Sequence, residues 1–337
     1  MASNHIPARP EHTSPGLAWV AAMRRGDFAA AWAVNDAVLA GRDPRTRDDP
    51  SLPYHQRWVW DGTPFEDADL LVRCYHGLGD TLQFSRYLPI LAARARRLTV
   101  EAQPELLPFL AAAPGTGTLV PFNPAHPMPP APCTLEIMEA GHVLRCLPPP
   151  LRLPLPPHTL TPRPSLGRLR AGLCWAASGW DPDRSVPPHC LGILAAVPGV
   201  AWTCLQQGGP RDIGETRFGP PLPPGGDVAG TAALLRTLDL VVTVDTMVAH
   251  LAGTLGVPAL VMLKAEPDWR WLPDRARSPW YPSLRLCRQP VPGAWEPLLR
   301  TVARILAGHL PLAQTAASEE LAPSHDSASV PFMSHPA

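Results

Sequence analysis

The sequence predicts an α/β protein made of two facing Rossmann-like halves with a ligand cleft between them. Three observations carry that reading. Residues 70–88, LLVRCYHGLGDTLQFSRYL, pass from a short apolar run through a glycine turn to apolar residues at helical spacing. Residues 239–258, DLVVTVDTMVAHLAGTLGVP, repeat strand, polar turn and helix far away in the chain. Between them a proline-dense segment divides 337 residues into two parts of similar size, and a chain of that length has room for two cores.

The elements follow in order. Residues 1–60 form an N-terminal helical segment, in which two alanine-rich stretches flank a break at Gly26-Asp27 and Trp19, Met23, Phe28 and Trp32 are packing residues. It reads either as a helical cap on the neighbouring domain or as the last pair of a tetratricopeptide-like array, although one pair alone cannot bury the faces of a solenoid. Residues 61–147 form the first Rossmann-like domain: a turn at Asp61-Gly62-Thr63-Pro64, strands at 70–75 and 98–102, helices over 81–96 and 104–113, and weaker strands at 119–122 and 133–137. That alternation gives a parallel sheet. Many of the 46 prolines crowd residues 121–164, and 148–166 is expected to be a linker, because proline removes ladder donors and stiffens the chain. Residues 167–312 repeat the pattern, with strands at 171–175, 201–206, 240–244, 259–263 and 284–287 and helices over 231–238 and around His250, the latter stopped by Gly256. The Ser-, Glu-, His- and Pro-rich tail, 313–337, has the composition of disorder.

Composition excludes several function classes. Lysine plus arginine and aspartate plus glutamate each number 29, so charge gives no case for nucleic acid as a partner. Seven cysteines without a CxxC pair fit neither a disulfide framework nor a zinc site, and Cys174 and Cys204 lie in apolar runs. No run approaches the ~20 apolar residues of a membrane span. MASNHIPARPEH has no apolar signal core, so a reducing cytoplasm is the expected compartment.

Loops after parallel strands converge on one edge, where open α/β folds bind ligands. In the first half that edge carries His76, the turn glycines Gly77 and Gly79, and Asp80 at the expected N-cap. Asp80 either only caps the helix or presents a carboxylate to a ligand. In the second half Ser178, Arg184, Gln206 and Thr246 sit at strand exits. His250 is either ligand-facing or a hydrogen-bonded core histidine, Asp245 either a cap or a contact, and Arg184 either a ligand group or a solvated loop residue. Trp269, Trp271 and Trp280 either stack on a base or sugar or pack a domain interface.

Together GLGDTLQFSRYLP, the DRSVP loop, TCLQQGG and VVTVDTMVAHLAGTLGVP resemble glycosyltransferase family 9, above all the bacterial heptosyltransferase-like domains associated with tetratricopeptide repeats. PDWRWLPDRARSPWYPSLRLCRQP is similar to the tail of those members, and the resemblance covers roughly residues 58–306. It implies a GT-B-like fold with an acceptor domain followed by a nucleotide-sugar domain. It implies Asp80 as catalytic base toward an acceptor hydroxyl, Arg184 on the donor diphosphate where heptosyltransferases use lysine, and Asp245, Thr246 and His250 in the Asp-Thr-Gly-x-x-His motif whose helix cradles phosphate. Met247 stands where that motif has glycine. The expected function is an inverting transferase from a nucleotide-diphosphate sugar to an unidentified hydroxyl. The alternative is a non-catalytic nucleotide-sugar-binding or scaffold module. No cofactor and no metal is expected: a helix N-terminus and Arg184 can together replace a divalent cation, and the reading anticipates no Asp-x-Asp pair to hold one.

Overall fold

A computed structural model describes residues 14–146, 168–207, 217–223, 227–273 and 275–308. The expected linker, 148–166, and the expected tail, 313–337, lie outside the described residues. The chain is α/β with two parallel sheets, as the sequence predicts.

The chain enters through a helix pair. Helix α1, Pro15–Arg25, starts where Ser14 Oγ accepts from Leu17 N at 3.3 Å and ends on Gly26 at φ +72°, a left-handed stop that suits glycine. Helix α2, Phe28–Ala40, starts on Asp27, whose carboxylate accepts from Ala30 N at 3.1 Å. The Gly26-Asp27 break is thus a C-cap followed at once by an N-cap. The pair clamps both halves of the molecule. Trp19 packs edge-on to Trp269 at 5.4 Å between centroids, and Asp36 accepts from His142 Nε2 at 2.8 Å.

The first sheet comprises β1 (Asp69–Arg73), β2 (Arg97–Ala102), β3 (Thr118–Pro121) and β4 (Cys133–Glu136), ordered β3-β2-β1-β4 and parallel throughout. Helices α3 (Leu78–Phe84) and α4 (Leu88–Arg94) join β1 to β2, α5 (Leu107–Ala111) precedes β3, and α6 (Ala140–Leu144) follows β4. The strand order reverses at β1, so the ligand edge of this sheet lies between the exits of β1 and β4.

The second sheet comprises β5 (Leu169–Cys174), β6 (Val200–Cys204), β7 (Leu240–Val244), β8 (Ala259–Leu263) and β9 (Leu284–Arg288), ordered β6-β5-β7-β8-β9. Among the described strands that is the 2-1-3-4-5 order of the flavodoxin type, with its switch point between β5 and β7. Around it stand α7 (Gly192–Ala195), α8 (Val228–Leu235), α9 (Met247–Leu255) and α10 (Trp295–Ala307).

Strand periodicity explains how the two halves join. Leu240, Val242 and Val244 face one way and pack with α7 and α10 residues such as Leu194, Leu298 and Val302. Val241 faces the other way, in a cluster that runs without a break into the first sheet's Leu70, Val72 and Val100. Side chains alternate along a strand, so the second sheet has an outer core of its own and an inner face that merges with the first half.

Candidate functional site

At the exit of β1 the chain turns at Gly77, which is the N-cap of α3. Asp80 is therefore not the N-cap the sequence suggested. It is the third helical residue, and its Oδ2 accepts from Gly77 N at 3.0 Å. That is the reaching-back half of a capping box, with glycine where the capping side chain would be. Gln103 fixes the turn from β2: its Nε2 donates to His76 O at 2.7 Å while Thr81 Oγ1 donates to its Oε1 at 3.0 Å.

Gly79 serves packing and not an unusual backbone path. A Cβ there would stand 2.8 Å from His250 Cδ2, closer than real contacts allow, so the glycine lets α3 lie directly on α9.

Asp80's other oxygen is also taken. Arg270 Nη2 donates to Asp80 Oδ1 at 2.6 Å, and Arg270 Nη1 donates to Asp268 at 2.8 Å. This guanidinium, 12 % exposed, is the ionic centre of the seam between the halves. Its charge stays because two carboxylates offset its burial. Sequence reasoning passed over Arg270, although it sits between two of the tryptophans weighed as stacking residues.

Those tryptophans pack the interior. Trp269, Trp271 and Trp280 are 7 %, 0 % and 4 % exposed, and Phe84 of α3 lies 6.1 Å from Trp280. Among the described residues the exposed tryptophan is Trp180 at 82 %, with the Arg184 guanidinium 5.4 Å from its ring centre. Nothing in the hydrophobic pattern marks Trp180; only its place in a polar loop between strand exits could have.

The second edge gathers several expected residues. Thr246, not Asp245, caps α9, its Oγ1 accepting from Val248 N at 3.2 Å. Met247 is the first helical residue and is partly buried. Arg184 Nη1 donates to Asp245 O at 3.2 Å and lies 3.8 Å from Asp245 Oδ2, and Ser178 Oγ stands 3.5 Å from Nη2. Arg184 Nε has no hydrogen-bond partner among the described residues. Gln206 Oε1 accepts from Trp175 N and Ala176 N at 3.2 and 2.9 Å, and its Nε2 donates to Ala176 O at 3.3 Å. Gln206 thus ties down the loop that carries Ser178.

Burial pushes the Asp245 carboxyl up from its ordinary value. It pushes His250 down to about 3, helped by Arg270, Arg86 and Arg184. A neutral His250, its Nδ1 3.1 Å from Tyr281 Oη, adds no positive charge to this edge. The arrangement as a whole offers the partly exposed Arg184 guanidinium and the N-terminal end of a nine-residue helix, which suits an anion.

Two neighbours complete the edge. Lys264, the only lysine in the chain, follows β8 and donates to Asp181 Oδ2 at 2.8 Å. Asp181 also lies 3.9 Å from Arg184 Nε. Asp181-Pro182-Asp183 is an Asp-x-Asp pair, so the expectation that the chain carries none is corrected. Its first carboxylate is already shared by two cations.

Comparison with known proteins places this geometry beside others. No family model matches the chain. Protein FlbA of Caulobacter vibrioides is 30 % identical over 149 residues, 41 % of this chain and 25 % of that protein, so the chain spans about a quarter of the relative's length. Among similar solved structures is the E. coli heptosyltransferase WaaC with ADP-2-deoxy-2-fluoro heptose, at 15 % identity, TM-score 0.48, covering 71 % of this chain and 99 % of that one. The family 9 glycosyl transferase of Veillonella parvula has 13 % identity, TM-score 0.46 and coverage of 67 % and 87 %. TibC of enterotoxigenic E. coli, an iron-containing dodecameric glycosyltransferase, has 13 % identity, TM-score 0.49 and coverage of 74 % and 76 %. These three similar structures are glycosyltransferases. Among the described residues of the present chain, no helix is long and apolar enough to cross a membrane.

Proposed function

We propose that the chain is a glycosyltransferase that binds a nucleoside-diphosphate sugar at the second edge and transfers its sugar, with inversion and without a metal, to a hydroxyl presented at the first. The observation that carries this reading is the partly exposed Arg184 guanidinium, its buried Nε without a hydrogen-bond partner among the described residues, beside the capped N-terminus of α9 at the switch point of the second sheet. The diphosphate lies there against Arg184, Ser178 and the first amides of α9. Lys264 adds a second cation, and Trp180 offers the nucleobase an exposed ring. Thr246 and Gln206 hold the helix start and the β5 loop in place, Asp245 orients Arg184, and His250 seats α9 on the Gly77–Asp80 turn. Transfer breaks the bond between anomeric carbon and diphosphate oxygen as the acceptor oxygen attacks from the opposite face, which inverts the centre. The leaving charge falls on Arg184 and the helix dipole.

Met247 occupies the first helical position of α9, where the resembled motif has glycine, and that departure favours the second reading, a non-catalytic nucleotide-sugar-binding module. Titration of ADP-, UDP- and GDP-sugars into wild type and Arg184→Ala, followed by assay for released nucleoside diphosphate, separates the two. Binding that depends on Arg184 and is followed by turnover supports the enzyme. Binding without turnover supports the module, and no Arg184-dependent binding refutes both.

A further inference from the structure

The loop that leaves β5 ends in a 3-10 turn, Pro188–Cys190, where Cys190 N donates to Pro187 O at 2.9 Å. Beyond it, Leu191 and Leu194 pack into the outer core beside Trp295, Leu298 and Leu299 of α10. That packing carries Cys190, a free thiol 4 % exposed, against the first turn of α10, where Glu296 is the second helical residue. No side chain caps this helix start, and the Glu296 carboxylate meets Arg300 Nη2 at 3.4 Å on the exposed surface.

The contact between loop and helix gathers three different donor types. A ring nitrogen of His189, the sulfur of Cys190 and a carboxylate oxygen of Glu296 lie within 4.8 Å of one another. Bonds of about 2.0–2.3 Å to one tetrahedral metal hold its ligands about 3.3–3.8 Å apart. His189 and Glu296 are both exposed, so their side chains can turn through that difference without disturbing the core. The donors also select the ion. Thiolate and imidazole suit zinc and its transition-metal neighbours, whereas calcium and magnesium take oxygen ligands. One thiolate and one carboxylate offset the charge of a divalent cation, and water fills the fourth position.

We propose that His189, Cys190 and Glu296 bind a divalent transition metal of the zinc type, and that this metal ties the end of the β5–α7 loop to the start of α10. The site is independent of the transferase reading, which uses none of the three residues. On binding, Cys190 gives its thiol proton to solvent and its sulfur takes the metal instead. The same loop carries Ser178, Trp180 and Arg184. Ala177 N donates to Ser185 Oγ at 3.0 Å and Val186 N to Trp175 O at 2.8 Å, so its inner ties run to itself and to the end of its own strand. The metal adds a tie to a different element. Sequence reasoning set a zinc site aside for want of a CxxC pair. Here two ligands are adjacent and the third comes from a distant helix, a spacing that no short motif records.

The test uses the full chain, freed of metal by dialysis against a chelator, as wild type, His189→Ala, Glu296→Gln and Cys190→Ser. Zinc chloride is titrated by calorimetry, and cobalt(II) serves as a spectroscopic probe of the same site. Wild type is expected to bind one zinc per chain at micromolar concentration or below. Its cobalt form should show a thiolate-to-metal charge-transfer band that Cys190→Ser lacks. His189→Ala and Glu296→Gln should each weaken zinc by at least ~10-fold, since losing a ligand costs no less than losing one of its outer partners. Zinc should also slow amide hydrogen exchange across residues 176–190. Zinc taken up only at millimolar concentration means an adventitious ion only and overturns the proposal. So does wild-type zinc affinity in both His189→Ala and Glu296→Gln, or a cobalt spectrum without the charge-transfer band. Exchange across residues 176–190 that zinc does not change overturns the tie between loop and helix. Should Cys190→Ser fail to fold, the two exposed variants and the wild-type cobalt spectrum still decide.

Discussion

The exits of β1 and β7 are built alike, strand into tight turn into helix, yet the carboxylate at the first has both oxygens paired while the guanidinium beside the second keeps one nitrogen unpaired among the described residues. At the first, Asp80 spends one oxygen on Gly77 N and the other on Arg270. At the second, Arg184 anchors through Asp245 O and leaves Nε without a partner among the described residues. The same local architecture therefore serves two purposes. The first turn ties the halves together through a paired ion, and the second stands beside a cation whose pairing is incomplete. A glycine-turn motif fixes where a carboxylate stands but not whether it is free to act.

The largest effect that would break this comparison lies at Arg270. Arg270→Met leaves Asp80 and Asp268 without their cation, and removing one partner of a buried pair costs about 3–5 kcal/mol. The urea midpoint should fall sharply. A shift below about 1 kcal/mol would mean that Asp80 is not locked. Gly79→Ala comes next: its Cβ would meet His250 at 2.8 Å, and overpacking of this kind costs about 1–3 kcal/mol. Wild-type stability in that variant would show that α3 and α9 do not touch as closely as described.

Two smaller effects sharpen the contrast. Trp180→Ala should leave stability unchanged, since the ring is 82 % exposed, and weaken nucleotide binding by about 0.5–1.5 kcal/mol; equal affinity would remove Trp180 as a base platform. The last concerns pH. Burial raises Glu139 from 4.5 to about 7 and raises Glu136 as well. A carboxyl raised on folding stabilises the protein fully below its unfolded value and loses that contribution as pH rises through its folded value. Stability should thus decline between about pH 4.5 and 7, and Glu139→Gln should flatten the decline. An unaltered profile in that variant would count against a buried Glu139.

Much of the fold was legible because its strands are short apolar runs with polar exits. Residues 240–244 and 259–263 are the observed β7 and β8. The helix α10 had no place in the sequence reading, although Trp295, Leu298, Leu299, Val302 and Leu306 recur at helical spacing. Its pattern lies beyond the motifs that drew attention. The clustering of Ser178, Arg184, Gln206 and Thr246 was legible because parallel strand exits must converge. Arg270 and Lys264 were not, since each reaches its partner from a loop remote in sequence, and Trp180 sits in a polar loop where no periodicity marks it. The tryptophans left two roles open for a related reason: size and aromaticity suit stacking and core alike, and burial decides for packing.

The central claim is that the second edge holds a nucleoside diphosphate, and Lys264 gives direct access to it. As the only lysine in the chain, it is the one side-chain amine that an acylating reagent can modify. Its labelling can be followed by peptide mass with and without ADP, UDP or GDP. The account predicts that at least one nucleoside diphosphate slows labelling of Lys264 in wild type, that the parent nucleoside does not, and that Arg184→Ala abolishes the protection. Labelling at the same rate with every nucleoside diphosphate, or protection that survives in Arg184→Ala, would contradict it.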